Sequence, residues 1–178
     1  MVGEIRDSET AEIAIRAALT GHQVFSTLHT NDSVGAVTRL IDMGVEPFLI
    51  SSSLEGVLAQ RLVRRICANC RETTEVEPAL RDQLAAISGG KIEGQFFHGK
   101  GCDECRGTGY HGRIGMFELL PITNELRELI LQKRSNAELK AAAQKTMMTM
   151  HQDALQKAAA GVTTLEEILR VSSGDMLE

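Results

Sequence analysis

Two Cys-x-x-Cys pairs contain all four cysteines of the chain. The first pair is Cys67 with Cys70, and the second is Cys102 with Cys105. A Cys-x-x-Cys turn directs two sulfurs the same way, and two such turns supply the tetrahedral set of thiolates that zinc prefers at about 2.3 Å. Because thiolates would fill every coordination position, we expect a structural zinc site at these residues and no chemistry at the sulfurs.

The cysteine pairs have two alternative interpretations. Disulfide bonds need an oxidising compartment, and the acidic segment from Met1 to Asp7 lacks the apolar region of a signal peptide. A thioredoxin-type redox centre needs one Cys-x-x-Cys at the start of a helix, and two pairs argue against it. The 31 residues between the pairs, 71–101, exceed the spacing of common zinc ribbons. We therefore expect this insert to have structure of its own.

Polar residues stand at the ends of two short apolar segments near the start of the chain. Glu4 and Asp7 end the first segment, and His29 follows the second. Many nucleotide hydrolases use a carboxylate just past a strand to hold Mg²⁺ or to polarise the attacking water. These residues also have ordinary interpretations: Asp7 or Ser8 as a helix N-cap, and His22 and His29 as surface or core histidines.

The elements that would position these residues alternate between strand and helix. We predict a strand ending near Ile5, a helix over Ser8–Leu19, a strand over Gln23–Leu28 and a helix over Ser33–Met43. This order is typical of a parallel α/β sheet, in which ligands bind beyond the carboxyl ends of the strands. Glu4 and His29 would both lie at that edge.

The middle of the chain should carry the cysteines on short elements. We predict a buried helix over 47–60, a strand over 62–66, a helix over 79–87 within the insert and a hairpin over 110–120. Glycines are frequent after Cys102, so we expect positive φ angles in the second cysteine turn.

Three arginines, Arg61, Arg64 and Arg65, precede the first cysteine pair. They could meet a nucleotide or an acidic neighbour, or form a solvated basic face. The chain after Pro121 is predicted to be helical, with capping boxes that start at Ser135 and Thr164.

Composition limits the classes of function. The chain has 178 residues, of which 43% are hydrophobic and 24% charged, and its net charge is −5. These are values of a globular protein, and no apolar run approaches the roughly 18 residues of a membrane span. The negative charge and the scarcity of aromatic residues speak against a nucleic-acid partner, so a nucleotide or protein partner is expected, in the cytoplasm.

Several motifs together resemble the secretion ATPases of type II secretion and type IV pilus assembly, the GspE/PilB-like ATPases. Residues 3–11, GEIRDSETA, resemble the Walker B segment of that family, and residues 20–32, TGHQVFSTLHTND, are similar to its His box. The cysteine pairs, residues 112–120 and residues 161–170 also match the family. The amino-acid sequence of residues 34–65 resembles the type II secretion branch more than the pilus branch.

The resemblance implies a RecA-like motor that forms a homo-hexamer at the inner membrane, bound there through secretion-platform proteins. It would couple ATP hydrolysis, with Mg²⁺, to pseudopilus growth and protein export. Glu4 matches the Walker B glutamate that activates water or supports Mg²⁺, and His29 matches the second histidine of the His box, near the γ-phosphate. His22 matches the first histidine, and Arg113 lies in a motif close to the nucleotide.

The implied fold is α/β: a partial RecA-like parallel sheet, then a tetracysteine zinc module, then a C-terminal helical bundle. We expect the corresponding domains at 1–66, 67–120 and 121–178. A RecA-like site also needs the phosphate loop Gly-x-x-x-x-Gly-Lys-[Ser/Thr], and this sequence has none. The expectation is therefore the C-terminal fragment of such an ATPase, inactive by itself.

Two further hypotheses stay open. The same motor could act in type IV pilus assembly, with a different pilin cargo. Alternatively, the chain could be a zinc-stapled adaptor that binds proteins and catalyses nothing, because residues 102–109 also fit the Cys-x-x-Cys-x-Gly-x-Gly unit of J-domain chaperones.

Overall fold

The computed structural model describes residues 1–88 and 91–174. Within this part of the chain the fold is mixed α/β, with two sheets of two strands each. The elements, in chain order, are α1 (Ser8–Leu19), α2 (Ser33–Asp42), α3 (Pro47–Ser53), β1 (Gly56–Ile66), a 3₁₀ turn (Ala68–Cys70), β2 (Arg71–Thr74), α4 (Pro78–Ser88), β3 (Phe96–Gly99), β4 (Tyr110–Pro121), α5 (Asn124–Leu131), α6 (Asn136–Ala143), α7 (Met150–Ala159) and α8 (Leu165–Gly174).

The elements form two compact units. The first comprises Met1–Ala59 and Glu118–Met148, and the second comprises Gln60–Phe117 and the chain from Thr149 onward. Strands β1 and β4 pair with each other, and the boundary between the units falls within both strands.

The first unit is built on helices. Helix α3 packs against α1, α2 and α5, while α6 packs against α2 and α5. Its core consists of aliphatic side chains that recur at helical spacing, with Ile50, Leu126, Ile130 and Leu139 almost fully buried. Burial of these side chains on one face of each helix is the main stabilising contribution in this unit.

Two aspartates start the first two helices. Asp7 accepts a hydrogen bond from the Thr10 backbone N–H at 2.8 Å, so its predicted N-cap role in α1 is confirmed. Asp32 caps α2 in the same way, by accepting from the Gly35 N–H at 2.6 Å. Both caps satisfy backbone donors that a helix start leaves without partners.

The predicted parallel sheet of the first unit is not confirmed. The segments around Met1–Ile5 and 23–28 are joined by only two backbone hydrogen bonds, from Val2 N to Phe25 O and from Ile5 N to Thr27 O, both 2.9 Å long. The bonds show that the segments run in the same direction. Because they do not continue as a ladder, neither segment forms a regular strand in the described residues.

Two predictions for the middle of the chain are wrong. The helix predicted over 47–60 ends at Ser53, since Leu54 has an extended backbone, and β1 already begins at Gly56. The apolar run was ambiguous between helix and strand, and pairing with β4 decided it. Residues 110–120 form no hairpin, because β4 is one continuous strand whose partner is β1.

The second unit surrounds the cysteines with short elements. Strands β2 and β3 pair antiparallel with Arg71 opposite Gly99. Helices α4, α7 and α8 pack on one another, and α7 also packs on β3. The predicted helix of the insert is confirmed as α4, which begins at Pro78, where proline is favoured because its fixed φ suits the first turn.

The helices after Pro121 are divided between the units, with α5 and α6 in the first and α7 and α8 in the second. A single C-terminal bundle is therefore not confirmed. The capping box at Ser135 is confirmed in full. A further box, Thr149 with Gln152, starts α7; its Thr-x-x-Gln signature was present in the sequence but was not predicted.

No helix among the described residues combines the length and the apolar character needed to cross a membrane.

Candidate functional site

The four cysteine sulfurs lie together, as the spacing predicts. Three Sγ–Sγ distances are 3.7–3.8 Å, joining Cys67 to Cys102, Cys70 to Cys105 and Cys102 to Cys105. All four sulfurs lie within 4.8 Å of one another. A tetrahedron with metal–sulfur bonds of about 2.3 Å has edges of about 3.8 Å, so the cluster has the dimensions of a four-thiolate metal site.

The distances also exclude disulfide bonds. A disulfide requires an S–S distance near 2.05 Å, and all four cysteines are free. Two of them, Cys67 and Cys105, are buried, and the other two are partly exposed. The donor set therefore fits a structural ion with a closed coordination shell.

Backbone pairing brings the two cysteine turns together. Strand β1 leads into Cys67, whose N–H donates to Gly109 O at 2.9 Å. The β2–β3 pair then returns the chain, and the Lys100 N–H donates to Cys70 O at 3.0 Å, just before Cys102. The two ends of the insert, residues 71–101, therefore lie next to each other.

A close approach of two glycines makes this closure possible. A Cβ built on Gly99 would lie 2.0 Å from Gly109 O, far inside any allowed contact. Gly109 itself has a φ of +76°, in the left-handed region. The expected positive φ angles of the second turn are also found at Gly101 and Gly107.

Backbone N–H groups point at the sulfurs. Gly101 N donates to Cys70 Sγ at 3.3 Å, and both Cys102 N and Gly109 N donate to Cys105 Sγ at 3.2 Å. Burial opposes ionisation of Cys105, but these N–H groups and the neighbouring thiols lower its pKa to about 6. Burial raises the pKa of Cys70 to about 12. These backbone N–H groups therefore favour the thiolate form of Cys105, which is the form that binds metal ions.

The second group of predicted residues is a carboxylate beside a histidine. Nε2 of His29 lies within ion-pairing distance of Oε1 of Glu4. The other oxygen, Glu4 Oε2, pairs with Arg6 at 2.6 Å. Thr27 Oγ1 donates to Gly3 O at 2.9 Å and so joins the two chain segments that carry the pair.

The surroundings of Glu4 favour its ionised form. The hydrogen bond from Arg6 lowers the pKa of Glu4, and His29 adds to the effect, while burial opposes it. Oε1 is screened from solvent and faces Nε2 of His29, whereas the His29 ring is 85% exposed. The site is thus a carboxylate with one oxygen turned towards an accessible imidazole.

The loop that carries His29 is fixed to the start of α2. Thr30 Oγ1 donates to Asp32 O at 3.1 Å, and Asp32 is the N-cap. Ser33, the first residue of α2, donates from its N–H and from Oγ to Glu118 Oε1, at 2.8 and 2.6 Å. Sequence reasoning missed Glu118, because nothing in the local pattern of β4 shows that its side chain is buried against α2.

The remaining predicted nucleotide-binding residues lie elsewhere. His22 follows the C-terminal end of α1, where its ring contacts Thr20 Oγ1 and Ala17 O. Glu4 precedes the N-cap of the same helix, whose 12 residues span about 18 Å, so His22 does not join the Glu4–His29 pair. Arg113 is exposed on β4, in the second unit.

Arg64, which lies shortly before Cys67, meets an acidic neighbour. Glu167 is 1% exposed, and its two oxygens accept hydrogen bonds from the Arg64 backbone and guanidinium and from Arg170. Arg64 also stacks on the Tyr110 ring at 4.1 Å. Of the interpretations left open, the acidic neighbour is therefore correct for Arg64.

Comparison with known proteins identifies relatives of this chain. A family described as "Type II/IV secretion system protein" matches residues 1–170. The type IV pilus assembly ATPase PilB of Thermus thermophilus is 52% identical over 171 residues, which are 95% of this chain and 19% of that protein. The type II secretion system protein HxcR of Pseudomonas aeruginosa is 51% identical, over 97% of this chain and 33% of its own length.

A third relative, the type II secretion system ATPase E of Vibrio cholerae, is 49% identical over 97% of this chain and 34% of its own length. The chain thus spans between a fifth and about a third of these relatives. Relatives of the pilus and secretion branches match equally well, so the identities do not separate the two pathways.

Solved structures share the fold. The ATPase DotB of Yersinia pseudotuberculosis superposes with a TM-score of 0.64 at 20% identity, over 97% of this chain and 36% of that one. The pilus retraction motor PilT, solved with bound ADP, gives 0.63 at 26% identity, over 95% of this chain and 38% of its own. Since the family match covers nearly the whole chain, the protein belongs to the type II/IV secretion system protein family.

Proposed function

We propose that this chain is the C-terminal part of a motor ATPase that drives pseudopilus assembly and protein export in type II secretion. Its relatives are ATPases and proteins of type II secretion and type IV pilus assembly, and it spans only part of each. The phosphate loop, which is not present in the 178 residues, would belong to the preceding part of a longer protein.

The observation that carries the proposal is the contact between Glu4 and His29. The two residues lie 25 positions apart in sequence, and the two backbone bonds between their segments bring them together. An ionised carboxylate beside an accessible imidazole is suited to orient a water molecule and to bind a charged phosphate oxygen.

The proposed roles follow from the chemistry of each side chain. Glu4 would accept a hydrogen bond from the attacking water or support Mg²⁺, and the exposed imidazole of His29 would lie near the γ-phosphate. Bound ATP and Mg²⁺ supply the reacting phosphate and its charge neutralisation. His22 and Arg113 are proposed to bind nucleotide in the assembled homo-hexamer, from positions outside the Glu4–His29 contact.

Zinc is the proposed ion of the cysteine cluster. Four thiolates with tetrahedral edge lengths are the donor set that zinc prefers, and the closed shell assigns the ion a structural role. We further propose the domain boundaries 1–66, 67–120 and 121–178 for the functional parts, and attachment to the inner membrane through secretion-platform proteins.

The experiment compares two polypeptides: the 178-residue chain, and the same chain extended by the coding sequence upstream of Met1. We expect ATP turnover by the extended protein and none by the shorter one. Glu4→Gln in the extended protein should lower kcat at least about a hundredfold, because the carboxylate no longer accepts a proton or orients water. Steady-state phosphate release measures both expectations.

Glu9→Gln is the matched control, since Glu9 is an exposed acidic residue in the first turn of α1. It should leave kcat within about twofold of the starting value. Turnover by the 178-residue chain that Glu4→Gln abolishes would overturn the fragment proposal, and a stop codon directly upstream of Met1 would do the same.

Two alternatives remain as candidate functions. The pilus assembly motor is supported by the 52% identity to PilB, and complementation of a secretion-deficient or a pilus-deficient strain separates the two pathways. A non-catalytic adaptor that binds proteins is supported by the cysteine cluster. It is the preferred function if the extended protein neither binds nor hydrolyses ATP.

A further inference from the structure

A buried carboxylate from β4 holds the start of α2. Glu118 is 7% exposed, and Ser33 is completely buried. Oε1 of Glu118 accepts from both the N–H and the hydroxyl of Ser33, although the residues are 85 positions apart. Because both residues are buried, loss of this contact would leave the Ser33 N–H without its acceptor, which is costly away from water. The position of α2 therefore depends on a side chain from a distant strand.

The helix start controls the loop that carries His29. Asp32 caps α2 through Gly35, and Thr30 Oγ1 donates back to the Asp32 carbonyl. These bonds hold the backbone of residues 30–35 in one conformation, and His29 directly precedes this segment. A displacement of Ser33 would therefore also displace the backbone of His29 and its ring.

The start of α2 has a second carboxyl group beside that of Glu118. The first backbone N–H groups of a helix have no partner within the helix, so they are free to donate to such side chains. Asp32 already occupies one part of the same helix start. The two side chains accept from different N–H groups of the helix start: Gly35 N donates to Asp32, and Ser33 N donates to Glu118.

We propose that Glu118 is a positioning residue of the Glu4–His29 site: it fixes the start of α2 through Ser33 and so holds the His29 ring beside Glu4. The proposal rests on the proposed function for its catalytic consequence, but its structural part can be tested without any activity.

The geometry distinguishes two variants of Glu118. Both bonds from Ser33 end on the same oxygen, Oε1. Glu118→Gln keeps an oxygen acceptor there. Glu118→Ala removes the acceptor, which leaves the buried Ser33 N–H without it and the Ser33 hydroxyl with only Met147 Sδ, at 3.9 Å. We expect glutamine to retain most of the positioning and alanine to lose it.

The first test is hydrogen exchange of backbone amides in the 178-residue chain. In Glu118→Ala the Ser33 amide and its neighbours over 30–35 should exchange at least about tenfold faster, and in Glu118→Gln less than about threefold faster. Ser33→Ala, which removes only the hydroxyl donor, covers the case in which Glu118→Ala does not fold, and should give an intermediate acceleration. Unchanged exchange over 30–35 in Ser33→Ala and Glu118→Ala overturns the proposal.

Glu167→Ala is the matched control, because Glu167 is also a buried glutamate but belongs to the second unit. It should destabilise the protein without selective acceleration over 30–35. If Glu167→Ala accelerates exchange of those amides as much as Glu118→Ala does, the effect reflects destabilisation of the whole protein, and the positioning role is wrong.

The second test is a double-mutant cycle in the extended protein. Glu118→Ala should lower kcat about tenfold or more with little change in the KM for ATP. In a His29→Ala background it should lower kcat no further, because its effect passes through His29. Independent, multiplying losses would overturn the positioning role. An extended protein without any ATPase activity would instead refute the proposed function and leave the exchange result to decide the positioning.

Discussion

Glu167 shows how much a single side chain depends on its surroundings. Its sequence position matches the last residue of a capping box, and the Thr164 hydroxyl does accept from the Glu167 N–H at 3.3 Å. The carboxylate, however, binds Arg64 and Arg170. Burial alone would raise its pKa, but the bonds from Arg170 and Arg64 lower the pKa to about 2.

This lowered pKa predicts a pH-dependent stability. A carboxyl with a depressed folded pKa contributes stability above its unfolded pKa, near 4.5, and loses it as the pH falls towards about 2. Glu167→Gln should therefore lower the free energy of unfolding by about 3 kcal/mol at pH 7. The difference from the wild type should shrink between pH 4.5 and 2, as measured by denaturant titration. A difference that stays constant across this range would show that the ion pairs contribute nothing.

At the scale of elements, the loop between α7 and α8 is fastened to β1 and to the insert. Ile66 N donates to Val162 O at 2.9 Å, and Thr163 Oγ1 donates to Arg64 O at 2.8 Å. Gly161, in the same loop, has a φ of +69°, and its carbonyl accepts from Arg71. A short loop thus joins the strand that leads to Cys67 with the two last helices.

Gly161→Ala should weaken this connection strongly. A Cβ at Gly161 would lie 2.9 Å from the Phe97 ring, and the left-handed φ adds strain. We expect a loss of about 2–4 kcal/mol in the free energy of unfolding. Gly44→Ala is the control, because Gly44 has a φ of +91° and nothing within 4 Å of a built Cβ; it should cost only about 1–2 kcal/mol. Equal losses at both positions would mean that the Phe97 contact does not matter.

At the scale of the whole molecule, two units differ in what holds them together. The first has a contiguous aliphatic core, with α1, α2, α3, α5 and α6 around it. In the second, short strands and glycine-rich turns surround the cysteine cluster. We expect a unit built in this way to draw much of its stability from a metal ion bound at the cysteines.

We therefore predict that metal removal affects the units unequally. Native protein should contain one zinc ion per chain, measured by elemental analysis. A chelator, or Cys70→Ser, should accelerate hydrogen exchange in β2, β3, α7 and α8 by far more than in α2, because structural zinc sites contribute on the order of 10 kcal/mol. Metal-free protein with full protection of the second unit would refute a structural role for the ion.

The sequence by itself determined the features that depend on near neighbours. The Cys-x-x-Cys spacing, the Asp7 cap of α1, the start of α4 at Pro78 and the Ser135 capping box were all predicted and are all found. Each depends on residues within one turn of each other, or on a ligand set that one ion gathers. The order of segments also predicted Glu4 and His29 at one edge of a sheet, but their direct contact is known only from the tertiary structure.

Only the tertiary structure decided the long-range partners. The pairing of β1 with β4, the bond from Ser33 to Glu118 and the ion pair of Arg64 with Glu167 join residues far apart in sequence, by 85 and 103 positions in the last two cases. The apolar run after Ser53 and the helices after Pro121 fit several arrangements equally well by periodicity alone. The arrangement that these segments adopt depends on the distant surface against which they are buried. A local sequence pattern carries no information about that surface.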